Sequence, residues 1–469
     1  MFDVSTEEIT EGSLGKALAF LSIPLVAQQF ALVAQQVVDV FWLGRLSGDA
    51  VAAVGLTAPM IGLLAAVVGA VYTGEHVLVS QRVGNGDGDG ARRTVFHALL
   101  AAVGSMAVLA VVANLVALDV TRLFNPGDDV ARLAAVYLGA MAVAYLVSSV
   151  SDVFEYGFLG AGDSRTPLAM NLVAIGVNIV LDPFFIFGWS VFPRLGIAGA
   201  AYATLVGYAV GGLLGIAVAL SAYGGFDFDG GAVDVDVAEF RELVTVGAPK
   251  AGQSIARQVA RLVVVSIISV TGGAAALAAY TVGARVATVA FVPAIGLSQA
   301  STTLVGQNLG ADRADRATRA TWLGVGAATV GLGALGALQW AFPGVIVDLF
   351  IPGADAETVR YALLYLQILA LGYWALGAIY AVEAGFNGAG RTEVSMYSTM
   401  LQYWAVRVPV AAVGAFALGY GALGPFWAVT VSNVVAAVGL CGYFRYSTGS
   451  GLHERAADDA GDSSGTAAD

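Results

Sequence analysis

Two trios of polar side chains recur at one spacing within strongly apolar segments of the chain. The members are Gln28, Gln35 and Asp39 in the first trio and Asn171, Asn178 and Asp182 in the second. In both trios the intervals are seven residues and then four. Because an α-helix turns about 100° per residue, such positions fall on one face. Each trio therefore predicts a helix with a single polar face.

The two carboxylates of these trios need a physical reason, because a charged side chain at the centre of a bilayer costs about 2.5–3.5 kcal/mol. Asp39 and Asp182 lie five and six residues before the glycines that end their segments, so we expect similar depths. Pro183 lacks a backbone N–H and frees a carbonyl one turn earlier, and Thr204 in the next segment reaches a comparable level. Carboxylate, amide, hydroxyl and carbonyl oxygens suit Na⁺, and burial of two neighbouring carboxyls also favours binding of H⁺.

The spacing thus predicts a site for a coupling cation, supported by a polar stripe and by two helix kinks. The predicted cation ligands are Asp39, Asn178, Asp182 and Thr204. The supporting stripe is Gln28, Gln35 and Asn171, and the predicted kinks are at Pro24 and Pro183. The alternative interpretation is a hydrogen-bonded polar patch that only holds helices together.

Composition indicates which elements position these residues. Of the 469 residues 58% are hydrophobic and 12% charged, with a mean hydropathy of +0.78, which excludes an ordinary soluble enzyme. Apolar stretches of about 20 residues or more, separated by short polar joints, predict an all-α polytopic membrane protein. The twelve predicted spans are roughly 14–43, 52–80, 94–118, 131–159, 167–188, 196–222, 240–270, 277–306, 318–342, 357–386, 394–418 and 422–444.

Charge sets further limits. A net charge of −12 argues against nucleic acid as a partner. Joints on the side of the N-terminus carry twelve basic residues and the opposite joints five, which predicts that both termini are cytoplasmic. We expect a cytoplasmic segment at 1–13, an N-lobe at 14–222, an acidic linker at 223–239, a C-lobe at 240–446 and a disordered acidic tail at 447–469.

An internal repeat relates the two predicted lobes. Pro24 and Gln28 recur as Pro249 and Gln253, 225 residues later, and the motif Glu-x-Gly-Phe-x-Gly-Ala-Gly at residue 155 recurs at residue 383. Each unit contains six spans, an even number, so both enter the membrane from the same side. This predicts two six-helix bundles related by a pseudo-two-fold axis, as in secondary transporters. The chain has no GxxxxGK[ST] motif for ATP.

The sequence also resembles a known family. The run ITEGSLGKALAFLSIPLVAQQ…VVDVFWLGRLSGDAVAAVGL, with GAGDSRTPL, NIVLDPFFIFG and GIAGAAYAT further on, resembles the multidrug and toxic compound extrusion (MATE) family over residues 9 to 445, and its archaeal and DinF-like branch in particular. The resemblance implies twelve helices in two V-shaped lobes and efflux of amphipathic organic compounds in exchange for Na⁺ or H⁺. It places the cation ligands on Asp39, Asn178, Asp182 and Thr204.

Basic residues in the second half admit two interpretations. The residues concerned are Lys250, Arg257, Arg261, Arg285 and Arg407. Either they pair with buried acids or extend to an interface, or they form a cationic cavity wall that prefers anionic or phosphate-bearing substrates. Glu155 and Glu383, at equivalent helix ends, are candidate gate residues.

We therefore expect a monomeric antiporter in the plasma membrane, without a cofactor or a structural metal and without enzymatic activity, that exchanges a small amphipathic organic substrate for Na⁺ or H⁺. The second hypothesis is a flippase for a lipid-linked, phosphate-bearing saccharide. A more remote one is a membrane-embedded transferase, which the short joints disfavour.

Overall fold

The computed structural model describes residues 6–123, 127–221, 235–351 and 355–457. Within these ranges the chain is helical and contains no strand. Ten helices are long and apolar enough to cross a membrane, and the number rises to twelve when two bent helix pairs are each counted as one span. The predicted all-helical, multi-pass fold is therefore confirmed.

Each of the first six predicted spans is one helix, although most of these helices are longer than predicted. They are α2 (Leu14–Leu46), α3 (Gly48–Gly84), α4 (Gly88–Arg122), α5 (Asp128–Gly160), α6 (Arg165–Phe187) and α7 (Ile197–Ala219), and a short α1 (Thr6–Glu11) precedes them. Pro24 lies inside α2 and Pro183 inside α6, and both helices continue beyond their proline.

The second half has less regular helices. Its elements are α8 (Val237–Gly310), α9 (Ala314–Ala341), α10 (Pro343–Phe350), α11 (Ala356–Ala370), α12 (Tyr373–Gly388), α13 (Thr392–Met400), α14 (Val408–Ala412) and α15 (Leu423–Gly449), with π-helical turns at Leu401–Arg407 and Val413–Ala417. The seventh and eighth predicted spans are the two parts of α8, which meet at Gly273 with φ 60° and ψ −155°. Only glycine adopts such a backbone conformation readily. The tenth predicted span is α11 and α12, bent by 46°.

The chain divides into two compact units. Within the described chain, the first contains Thr6 and residues 27–251, and the second contains residues 7–26 and 252–457. The division falls within α2 and within α8, not in the predicted linker, of which residues 223–234 lie outside the described ranges. In the first unit, Arg82 of α3 pairs with Glu239 and Glu242 at 2.9 Å each and so ties the start of α8 to α3.

Both ends of the described chain are docked on the second unit. The side chains of Asn308 and Arg316 donate hydrogen bonds to the carbonyl of Ile9 in α1. At the other end, residues 447–457 are largely helical, so the predicted disorder is wrong for that stretch; residues 458–469 lie outside the description. The reason is that Leu452 and His453 are buried, which average composition does not reveal.

Candidate functional site

The carboxyl groups of Asp39 and Asp182 meet inside the first unit. Asp39 lies in the last third of α2 and Asp182 in the last turns of α6, where it has no solvent-exposed surface. The two groups are close enough to share a hydrogen bond, which requires one of them to carry a proton. When both are ionised they are acceptors only, and three of their four oxygens are buried without a donor.

Asn178 and Thr204 lie beside this pair and are joined to each other. The Asn178 amide donates to the Thr204 hydroxyl at 3.1 Å, and that hydroxyl donates to the carbonyl of Ala200 at 3.0 Å. The Asn178 side-chain oxygen is left buried and without a donor. Together with the carboxyl pair, this makes four buried acceptor oxygens to which no described residue donates a hydrogen bond.

A close helix contact brings these residues together. A Cβ atom at Gly207 of α7 would lie 2.4 Å from the carbonyl oxygen of Ala174 in α6, so only glycine permits this approach. Asn178 is one turn beyond Ala174 and Thr204 is one turn before Gly207, and their hydrogen bond depends on the same contact. Small residues at helix interfaces of membrane proteins commonly have this function.

A cavity of about 370 Å³ within the first unit is lined by Asp39, one member of the carboxyl pair, whereas Asp182 does not contribute to its lining. Its walls include Asp39, Gln35, Thr204, Tyr137 and Tyr208, and among the described residues that line it there is no lysine or arginine. A cation entering this cavity meets a carboxylate and a hydroxyl without competition from a basic side chain.

The polar stripe predicted to support the site divides into two parts. Gln35 lines the cavity, whereas Gln28 and Asn171 donate to Glu155, at 2.5 and 2.8 Å. Glu155, a candidate gate residue, is buried with its carboxylate held by these two amides. The sequence spacing identified the helix faces correctly but not this partner on α5.

The second unit repeats that amide–carboxylate arrangement. Gln253 donates to Glu383 at 3.2 Å and to the Thr399 hydroxyl at 2.9 Å. These three residues occupy the positions that match Gln28, Glu155 and Asn171, at offsets of 225, 228 and 228. The carboxyl pair has no such counterpart, because the residue that matches Asp39 is Val264, which is buried in the apolar core.

Three acidic and phenolic side chains of the first unit were not predicted as a group. Tyr72 and Ser148 donate to the Asp152 carboxylate at 3.1 and 3.3 Å. Glu75, one turn from Tyr72, has no exposed surface and neither of its carboxylate oxygens has a hydrogen-bond donor. Acids inside an apolar span were the only sequence signal for this cluster.

The arginines of the second half separate into two sets. Arg257, Arg261 and Arg407 line one cavity of about 250 Å³ in the second unit, whereas Arg285 does not contribute to its lining. Among the ion pairs of the described residues, none includes any of these four arginines. Close ion pairs therefore do not account for them, and the one buried acid near them in the described chain is Glu383, which interacts electrostatically with Arg257 and lines the same cavity.

Long apolar helices in two compact units, one of which buries a carboxyl pair beside a cavity, are features of a multi-pass membrane transporter. The sequence profile of the MatE family matches twice, over residues 24–184 and 249–413, and the chain belongs to that family. The two matches begin 225 residues apart, in agreement with the internal repeat.

Individual proteins resemble the chain over almost their whole length. A probable multidrug resistance protein NorM of Pseudomonas aeruginosa is 30% identical over 95% of this chain and 92% of its own. A FAD transporter of Shewanella oneidensis is 24% identical over 91% of this chain and 93% of its own. Among solved structures, a MOP-superfamily transporter from Pyrococcus furiosus superposes with a TM-score of 0.87 at 22% identity, covering 95% of this chain and 98% of that one.

Proposed function

We propose that the protein is a secondary-active antiporter that exports amphipathic organic compounds in exchange for Na⁺ or H⁺ bound at Asp39, Asn178, Asp182 and Thr204. The observation that supports this proposal is the cluster of buried acceptor oxygens at the carboxyl pair. None of these oxygens receives a hydrogen bond from a described residue. A proton or a sodium ion supplies the missing positive charge. Buried polar groups without a partner are costly, so the pair favours occupancy by a cation.

The coupling follows from differential affinity. A cation shifts the balance between outward- and inward-open states only by as much as it prefers one of them. We propose that the cation enters from outside, binds in the first unit and favours the state that releases substrate outside. The protein is expected in the cell membrane as a monomer, with both termini in the cytoplasm, and within the archaeal and DinF-like branch of the family.

Proteoliposomes with imposed gradients test this proposal. The full chain is reconstituted and the efflux of ethidium, an amphipathic organic cation, is followed under an inward Na⁺ gradient, a pH gradient, or neither. We expect one of the two gradients to drive efflux and Asp39→Asn to abolish that dependence. Full gradient-driven transport by both Asp39→Asn and Asp182→Asn would refute the coupling site.

A second candidate function is a flippase for a lipid-linked, phosphate-bearing saccharide. The observation that favours it is the cavity of the second unit, lined by Arg257, Arg261 and Arg407. The similarity to a protein named as a FAD transporter also supports a phosphate-bearing substrate, since FAD contains a diphosphate. Transport of a fluorescent lipid-linked saccharide, without competition from ethidium, would favour this alternative.

A further inference from the structure

The cavity of the second unit carries an excess of positive charge. Arg257 and Arg261 are four residues apart on α8, so they share a helix face, and Arg407 reaches the same cavity from a π-helical turn. Glu383 is the one carboxylate among the described lining residues, and it accepts a hydrogen bond from Gln253. Three guanidinium groups and one carboxylate give the lining a formal charge of +2.

Neutral groups hold the most buried of these guanidiniums in place. Arg407 donates through Nε to the Ser432 hydroxyl at 2.8 Å and through Nη2 to the Asn433 side-chain oxygen at 2.6 Å. Its guanidinium carbon also lies 3.9 Å from the centre of the Tyr403 ring. These contacts orient the cation without neutralising it. A guanidinium held by neutral groups, and in no ion pair among the described residues, is organised to bind an anion.

Arg257 and Arg261 add two further cations with different surroundings. Arg257 shares a hydrogen bond with the Tyr380 side chain, again a neutral group. Arg261 is a more exposed residue, and no hydrogen bond or ion pair joins it to another described residue. Three like charges that face one cavity repel each other, and a bound anion relieves that repulsion.

The size of this cavity and its remaining wall residues limit the class of ligand that it can bind. About 250 Å³ lies below the roughly 300–1,000 Å³ of pockets that enclose a drug-sized molecule. The cavity is therefore large enough for the polar head group of an amphipathic molecule but small for the whole molecule. Tyrosine rings, including Tyr280 and Tyr365, form much of the remaining wall and provide an aromatic surface for the atoms next to that head.

We propose that this cavity binds a phosphate monoester, the head of an amphipathic substrate. The charge of the lining matches such a group, which carries about −1.5 to −2 at neutral pH, whereas one carboxylate would neutralise only half of it. This inference rests on the proposed function in one respect, namely that the protein transports amphipathic compounds, and it concerns those that bear a phosphate. The phosphate belongs either to a soluble compound or to a lipid headgroup.

Binding to the purified full chain, without any gradient, tests the inference. Isothermal titration calorimetry in zwitterionic lipid nanodiscs uses phenyl phosphate as the soluble probe, dihexanoyl phosphatidic acid as the lipid probe and phenyltrimethylammonium as a cation of similar size. We expect at least one phosphate probe to bind and the cation not to bind. The ratio of the two phosphate affinities identifies the source of the head group.

Matched variants locate the site. Arg257→Gln and Arg261→Gln should each weaken phosphate binding by about 10-fold or more, since hydrogen bonds to charged groups are worth this much. Arg407→Gln is the corresponding variant at the third arginine. Because it could misfold, Arg407→Lys, which keeps the positive charge, is made beside it. Arg285→Gln removes an exposed cation of the same helix, outside the cavity lining, and should leave the affinity unchanged.

Three results would overturn the inference. The first is that neither phosphate probe binds. The second is binding of phenyltrimethylammonium as tight as that of phenyl phosphate. The third is a loss of affinity in Arg285→Gln equal to that in Arg257→Gln. Each of these results leaves the coupling site untouched, because that site is tested by gradient-driven transport. Conversely, loss of gradient dependence has no bearing on calorimetric binding to this cavity.

Discussion

Replacing Asp182 by asparagine tests whether the carboxyl pair is a cation site or only a polar patch. If it is a cation site, the substitution should raise the stability of the cation-free protein and weaken ion binding. Asn has nearly the shape of Asp but carries an amide donor where the protein has only acceptors. In Asp182→Asn this donor faces the Asp39 carboxyl, one oxygen of which is buried without a partner. We therefore expect the variant, without bound cation, to be more stable than the wild type.

The magnitudes follow from elementary electrostatics. A new hydrogen bond to a buried charged group, together with removal of a like charge, should stabilise the variant by about 1–3 kcal/mol. A cation about 4 Å from a carboxylate gains about 4 kcal/mol at an effective dielectric constant of about 20. Loss of the Asp182 charge should therefore weaken cation binding by roughly 10³-fold.

Thermal unfolding of the purified protein measures both effects. Na⁺ is varied at constant ionic strength with choline as the replacement, and pH is varied separately. Wild-type stability should rise with whichever cation is coupled, by about 2.7 kcal/mol at a concentration one hundred times the dissociation constant. The Asp182→Asn protein should unfold at a higher temperature without the cation and show no response to it.

Asp152→Asn is the matched control, because its carboxylate already accepts hydrogen bonds from Tyr72 and Ser148. Both donors contact the same oxygen, Oδ2, and asparagine keeps one acceptor oxygen that can take its place, so this variant should show no comparable gain in stability and should still respond to the cation. Suppose instead that the wild type unfolds at one temperature whatever the Na⁺ concentration and pH, and that Asp182→Asn transports normally. The polar-patch interpretation would then be correct.

Two further predictions concern packing and pH. Gly207→Ala places a methyl group 2.4 Å from the Ala174 carbonyl oxygen. Thermal unfolding should therefore show a free energy of unfolding lower by about 1–3 kcal/mol and a weaker response to the cation. The control is Gly176→Ala, where a Cβ atom has nothing within 4 Å, and it should show neither effect. Burial lowers the pKa of His453 from 6.5 to about 4. The docked residue is therefore neutral, and the stability it contributes is complete above about pH 6.5 and lost as the pH falls towards 4. Hydrogen–deuterium exchange of residues 452–457, measured at each pH and corrected for the intrinsic pH dependence of exchange, should increase as the pH falls across that window, and His453→Leu should remove this dependence.

Local features of the sequence were sufficient for much of this picture. Long apolar runs determine that the helices suit a membrane, since backbone polar groups must be paired within each segment there. The seven-and-four spacing determined that Asp39 and Asp182 lie on the polar faces of their helices. The repeat anticipated that Gln28 and Gln253 occupy equivalent positions, and both in fact donate to equivalent glutamates.

Contacts between distant segments were decided only by the tertiary structure. Periodicity identifies the face of a helix but not the neighbour that this face meets, and Gln28 meets Glu155, 127 residues away, instead of the carboxyl pair. In the same way, the sequence does not distinguish the four arginines at positions 257, 261, 285 and 407, whereas the structure shows that three of them line a cavity and that Arg285 does not. Helix rotation and close packing, as at Gly207, depend on the whole unit, so a local pattern does not specify them.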